Sequence, residues 1–309
     1  MKKVFQFAVF TLLFAVLAGS AVAQKKSRDE TFKEIATLSN TKKPEDSEKA
    51  YQLAKEFFAQ NPKEKGDVVT KIKDWMKRYR ENKFYAAIDA KNYAVAFPLG
   101  KEILADEPEN TTATMLLAYA GFDALAQKQD KSYGDDALAY GKKSLELMEQ
   151  GNIPSNFAPF LNKEDALAWM YYIIATFTSE KNLKEAAGNF YKATLYESPI
   201  KKTSQPYYVI AYYYESLYEK MSEALKAKAK GLSDAEFKTE TEKVDKVVDQ
   251  MMDAYARAYT LGTAEKNPNV ATWKDRLAQV YQYRKKTTAG LDAYITYIVS
   301  TPFVDPTGF

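Results

Sequence analysis

The chain has 309 residues with no histidine and no cysteine, and its 44 basic and 41 acidic side chains leave a net charge of +3. Histidine triads and general bases, thiol nucleophiles, disulfides, thiolate zinc sites and iron–sulfur ligation are excluded at once. A charge balance this close to neutral carries no field of the kind a nucleic-acid partner requires.

Residues 1–23 begin with Lys2 and Lys3, run through an apolar stretch over 4–17 and end in Ala21-Val22-Ala23 before Gln24. A basic start, an apolar stretch too short to span a bilayer and small residues two apart predict a secretory signal peptide, with Ala21, Ala23 and Gln24 at the peptidase site and cleavage after Ala23. Removing 23 of 309 residues leaves 286, in which 42 basic side chains face 41 acidic ones. The mature chain is expected to be exported, periplasmic or extracellular, with no membrane span once the signal is removed. Its length suffices for a core that needs no disulfides. Residues 24–44 are polar except around 32–38 and are expected to form a leader or a capping helix.

From 45 to 302 apolar residues recur at three- and four-residue spacing, Gly and Pro fall between the periodic stretches, and no period-two alternation is sustained. The expectation is all-helical. Small residues recur in a set pattern: Ala50, Ala54 and Phe57; Ala96, Gly100 and Ile103; Ala137, Gly141 and Ser144; Ala186, Phe190 and Ala193. Looser copies are Met251, Tyr255 and Ala258, then Ala289, Ala293 and Thr296. A proline closes several of these stretches, as Pro62, Pro108, Pro199 and Pro302 do. The pattern describes the second helix of a helical hairpin, packed closely on its partner and then stopped.

These segments resemble tetratricopeptide repeats. Tyr207, Ile210, Ala211 and Tyr214 stand at the offsets where that family has Trp, Leu, Gly and Tyr in its first helix, and Asn92-Tyr93-Ala94-Val95-Ala96 and Asn182-Leu183-Lys184-Glu185-Ala186 resemble its entry into the second. The resemblance implies an α-α superhelix, a solenoid of about five antiparallel helix pairs whose concave face takes a peptide or a partner helix. Successive small residues are 46, 41, 49, 65 and 38 apart, against a family unit of 34, so every copy is elongated. The widest gap reads as a long charged hairpin over 205–261, interrupted at Gly231 and restarted by a capping box at Ser233 and Glu236. Residues 303–309 are left as a C-terminal tail. An ordinary helical bundle with coincidental spacing is the competing reading.

Tyrosine is the compositional outlier: of 23, ten lie between Met170 and Tyr218. In the family register Tyr207, Tyr214 and Tyr218 face the core, while Tyr208, Tyr212 and Glu215 line the receiving face, with Tyr171 and Ala175 preceding them on the neighbouring pair. Exposed aromatic clusters give large contact area at small entropy cost, so these five residues are the candidate partner-binding set.

Catalytic patterns are thin. Ser39-Asn40-Thr41-Lys42 and Ser198-Pro199-Ile200-Lys201 match Ser-x-x-Lys without its companion motifs, and Asp135-Asp136 stands where acidic residues favour a helix start. No nucleotide, metal or EF-hand motif is present, so no catalytic residue, cofactor or metal is expected. The Lys-rich stretch 220–230 has a thin apolar face and reads as solvated. The sequence therefore points to a non-enzymatic scaffold that binds a protein or peptide of the bacterial cell envelope. A carboxylate hydrolase acting on cell-wall or carbohydrate material, or a structural spacer in an envelope complex, are the alternatives.

Overall fold

The computed structural model describes residues 26–41, 43–154 and 156–308. The expected signal peptide and its peptidase site at Ala21, Ala23 and Gln24 lie outside them. Among the described residues there are twelve α-helices and no strand. In order they are α1 (Arg28–Ser39), α2 (Pro44–Gln60), α3 (Asp67–Asp89), α4 (Tyr93–Asp106), α5 (Thr111–Lys128), α6 (Gly134–Glu149), α7 (Lys163–Thr178), α8 (Leu183–Leu195), α9 (Ser204–Lys228), α10 (Asp234–Glu265), α11 (Val270–Lys285) and α12 (Leu291–Ile298). The all-α expectation holds.

Local chemistry sets the helix starts. Asn110, Asn162 and Asn182 each accept a backbone N–H with the side-chain oxygen at the heads of α5, α7 and α8. Ser27 with Glu30 and Ser233 with Glu236 form reciprocal capping boxes, which satisfy orphan donors that the helix itself cannot. Within 24–44, expected as a leader or a capping helix, the capping box opens helix α1, whose Phe32 and Ile35 are buried.

The chain divides into two units, with the boundary between Tyr79 and Arg80 inside α3. In the first, Phe32 and Ile35 of α1 pack with Ala54 of α2 and Val69 and Ile72 of α3. In the second, each helix packs on its neighbour in sequence from α4 to α11, with further contacts from α5 to α7 and from α10 to α12. The long hairpin runs from α9 through a 3-10 turn at Ala229–Gly231 into α10. Burial ends at Tyr214 on the outgoing helix and resumes at Val244 on the returning one. Leu217, Tyr218 and Met221 still pack partly buried against the core, and beyond them the tip of the hairpin, with most of the Lys-rich stretch, is largely exposed.

Two recurring devices hold these hairpins. One is a polar clamp between the start of a first helix and the exit of the second. Thr111 Oγ1 donates to the Asn152 carbonyl at 2.8 Å, Ser198 Oγ to Asp165 Oδ1 at 2.5 Å, and the Ser204 N–H to Glu265 Oε1 at 3.0 Å. Arg28 reaches Glu64 at 2.9 Å, and Arg80, midway along α3, reaches Asp106 at 2.6 Å. The clamps fix the two helices of each pair as antiparallel.

The other device is a glycine on the second helix that seats a side chain of a later element. A Cβ at Gly100 would lie 2.8 Å from Leu117 of α5, one at Gly141 3.3 Å from Ile174 of α7, and one at Gly262 2.6 Å from Trp273 of α11. The small residues of the first five triplets are buried accordingly, from Ala50 to Ala258. The last triplet is out of register: Ala289 lies in the turn before α12, Ala293 and Thr296 are exposed, and Ile295 is the residue that packs. That helix has only eight residues, and its inward face is set by the preceding turn at Gly290.

Gly121 tests the close approach most sharply. A Cβ there would stand 2.6 Å from Ala137 Cβ and 3.0 Å from the Tyr133 carbonyl, neither of which can rotate away. Gly121→Ala gains about 1 kcal/mol of helix propensity but overpacks the α5–α6 seam. A net loss of about 1–3 kcal/mol by urea denaturation is expected. Ser144 is fully buried and its hydroxyl has no hydrogen-bond partner among the described residues. Ser144→Ala therefore raises stability, by about 1 kcal/mol in the same assay.

Candidate functional site

A cleft of about 660 Å³ lies on the second unit, a size typical of ligand sites. Tyr85, Ile88 and Asp89 of α3 form one wall, Thr112, Leu116, Tyr119, Ala120 and Asp123 of α5 form the other, and Asn156, Ala158 and Pro159 of the α6–α7 connection close an end. Lys91 and Tyr93 of the α3–α4 turn complete the lining. Lys91 holds a left-handed backbone, φ 52°, which turns the chain sharply enough to bring its side chain back over the cleft.

Asp123 is the one acidic residue in α5, a helix whose other buried positions are mostly apolar or small. It is 6% exposed. Lys91 Nζ lies 3.0 Å from Oδ2 and also bonds Oδ1 at 3.2 Å, while the Tyr93 hydroxyl donates to Oδ2. A buried carboxylate needs such partners, because unpaired it would carry the full cost of desolvation. Burial, and then the bond to Asp123, raise the Tyr93 hydroxyl above the ordinary tyrosine range. Burial also raises Tyr119 and Tyr85. All three phenols are neutral donors and apolar surfaces at physiological pH.

Both oxygens of Asp123 are thus engaged, and the other lining carboxylate, Asp89, is exposed at the end of α3. Asp123 is therefore held as a paired carboxylate within the cleft wall. The Ser-x-x-Lys match at Ser198 is accounted for by packing: Ser198 bonds Asp165 and caps a 3-10 turn, while Lys201 pairs with Glu197 at 2.6 Å. Asp135 and Asp136 stand in the first turn of α6 and pair with Lys181 and Lys101. Among the described residues no group of three or more acidic side chains could hold a metal ion.

An edge-to-face aromatic ladder continues from Tyr119. Its ring meets Phe160 at 5.4 Å and Trp169 at 5.8 Å; Trp169 meets Phe122 and Tyr172, each at 5.5 Å, and Tyr172 meets Phe190 at 5.2 Å. Such pairs are worth about 0.5–1.5 kcal/mol each beyond their burial. They tie the first helices α5 and α7 into one continuous half-buried strip.

The five residues singled out from sequence fall into separate places. Tyr208, Tyr212 and Glu215 do share a face of α9, and that face meets α11: the Tyr208 ring stacks on Trp273 at 5.0 Å, and Glu215 forms an ion pair with Arg276. Tyr212 is 53% exposed. Tyr171 points elsewhere, stacked on Tyr196 at 6.0 Å with Lys192 over its ring, and burial first, then Tyr196 and Glu149, push its hydroxyl up to about 12. Its neighbour Tyr172 joins the ladder instead, a rotation of one residue on α7. Ala175 is fully buried in the core between helices and has no surface to offer a partner.

The cleft itself went unread in the sequence. Its one signal was Asp123, a lone carboxylate in an apolar helix, and the Asn92-Tyr93 entry motif that supplies its partner. Compared with known protein families, curated proteins and solved structures, the chain matches none.

Stacking and exposure separate Tyr208 from Tyr212 on α9. Tyr208→Ala removes a ring packed on Trp273 and is expected to cost about 2–4 kcal/mol, whereas Tyr212→Ala stays within about 0.5 kcal/mol. Thermal unfolding of both variants checks this; equal losses would mean that Tyr212 is not free.

Proposed function

We propose that the protein is a non-catalytic binding module, an α-α superhelix of tetratricopeptide type that acts as a scaffold in the bacterial cell envelope. The superhelical reading is supported by the succession of antiparallel pairs and by the α5–α7 and α10–α12 contacts, which link like helices of successive pairs. The receiving surface is the strip of first helices, and it includes the cleft between α3, α5 and the α6–α7 connection. One observation carries this reading: a 660 Å³ cleft lined by three tyrosines and apolar side chains, whose buried carboxylate is already neutralised from within the chain. Such a surface offers contact area and phenol hydroxyls, and neither histidine nor cysteine lines it, which suits an extended peptide or a partner helix.

Export through cleavage after Ala23 is part of the proposal, and its basis is the composition of residues 1–23. No helix among the described residues is long and apolar enough to cross a membrane.

Affinity capture from the envelope fraction with residues 24–309, run beside a cleft variant carrying Tyr85→Ala and Ile88→Glu, tests the reading. Recovery of one stoichiometric protein that falls at least tenfold with the variant, at unchanged helical circular dichroism, is expected. Recovery independent of the cleft, or glycan-cleaving activity of the purified chain, overturns it.

A further inference from the structure

The surface of α8, α9 and α10 is crossed by residues 299–308, which are irregular apart from a three-residue turn at Pro306–Gly308. One side chain anchors them. Arg257 donates from Nε to Asp253 Oδ1 at 2.7 Å and from Nη2 to the carbonyl oxygens of Ile298 and Thr301 at 2.9 and 2.7 Å. The side chains of this pair are only 11% and 6% exposed. Buried carboxylate and guanidinium hold each other in place, and the remaining donors of the fork are aimed at main-chain oxygens.

Past Thr301 the segment is read at alternate points. The Phe303 ring lies 5.0 Å from the Arg257 guanidinium and meets Tyr207 at 5.1 Å and Tyr191 at 6.0 Å. Val304 is 47% exposed and Asp305 is also exposed, whereas Pro306 is buried. The Thr307 methyl sits 2.7 Å from where a Cβ at Gly188 would be. Gly188 therefore seats the tail, as Gly100, Gly141 and Gly262 seat side chains of neighbouring helices. The Asp305 carboxylate accepts from the Thr307 N–H and hydroxyl and sets the bend. A trough of about 410 Å³ continues past Thr307 along α8, between Asn182, Glu185, Asn189 and Lys192.

A guanidinium satisfying backbone carbonyls, a tyrosine-lined seat for one ring and a glycine-floored seat beyond a buried proline are the elements of extended-peptide recognition. We propose that this surface is a binding site for aromatic-x-x-Pro segments, that the chain's own Phe303-Val304-Asp305-Pro306 fills it, and that a partner peptide of the same pattern displaces the tail. The site is separate from the α3–α5 cleft and does not rest on it.

A tethered tail competes at an effective concentration of about millimolar, so a free peptide binds the intact protein poorly and binds well once the tail is weakened. The probe is a dye-labelled peptide of residues 301–308, TPFVDPTG, followed by fluorescence anisotropy against the chain 24–309. Phe303→Ala in the protein should tighten binding of the probe at least tenfold over wild type. Thr307→Arg, whose side chain cannot lie against Gly188, is run in parallel and should act in the same direction. Adding Tyr191→Ala to either should abolish the gain, and so should a probe with Ala in place of Phe. The α3–α5 cleft variant should leave the titration unchanged, so this site and the cleft can fail independently. No binding to either loosened variant at native helicity, or equal binding of the Ala probe, overturns the proposal.

Discussion

The distance at which successive helices can approach governs everything else in this structure. At Gly121 the α5 backbone comes so close to α6 that a single methyl group would strike the Ala137 side chain and a carbonyl oxygen. Where helices meet this tightly, the large residues flanking the seam are forced sideways, and in the second unit these are aromatic: Tyr133 stacks on Phe97 at 4.3 Å, and Phe122 turns its edge to Trp169. Close helix seams and aromatic packing thus stand side by side along the second unit.

Much of this architecture could be read from the residues, because the signals are local. Ser233 with Glu236 announces a helix start wherever it occurs, and a small residue repeated at four-residue spacing announces a close helix partner. The turn to α10 and the seats at Gly100 and Gly141 follow from those rules alone. Direction was harder to read than existence. Tyr171 and Tyr172 differ by 100° on α7, and adjacent aromatic residues give no periodicity to choose between them. Ala175 was legible as small but not as enclosed.

Contacts that bridge long stretches of chain left almost no trace. Lys91 and Asp123 are 32 residues apart, and Arg257 and Thr301 are 44 apart. Neither pair has a spacing rule, so both the cleft and the strapped tail emerge only when the chain is folded. What such charges share is their setting: an ionisable residue on the buried face of a packing helix, Asp123 in one case and Asp253 beside Arg257 in the other. Burial pushes the Asp253 carboxyl up to about 6, with Arg257 opposing the shift. A buried acid in a packing helix is therefore a pointer to a long-range partner even where the partner cannot be named.

The clamps between helix start and helix exit have a mechanical corollary. Each ties together residues only some 26 to 61 positions apart, and each closes its own hairpin. Within one hairpin, force that parts the two helices at their open end falls on this bond, while the glycine seats on the second helix pass the load to the next pair. The Arg257 fork closes a longer loop in the same way, holding Thr301 against a helix 44 residues upstream.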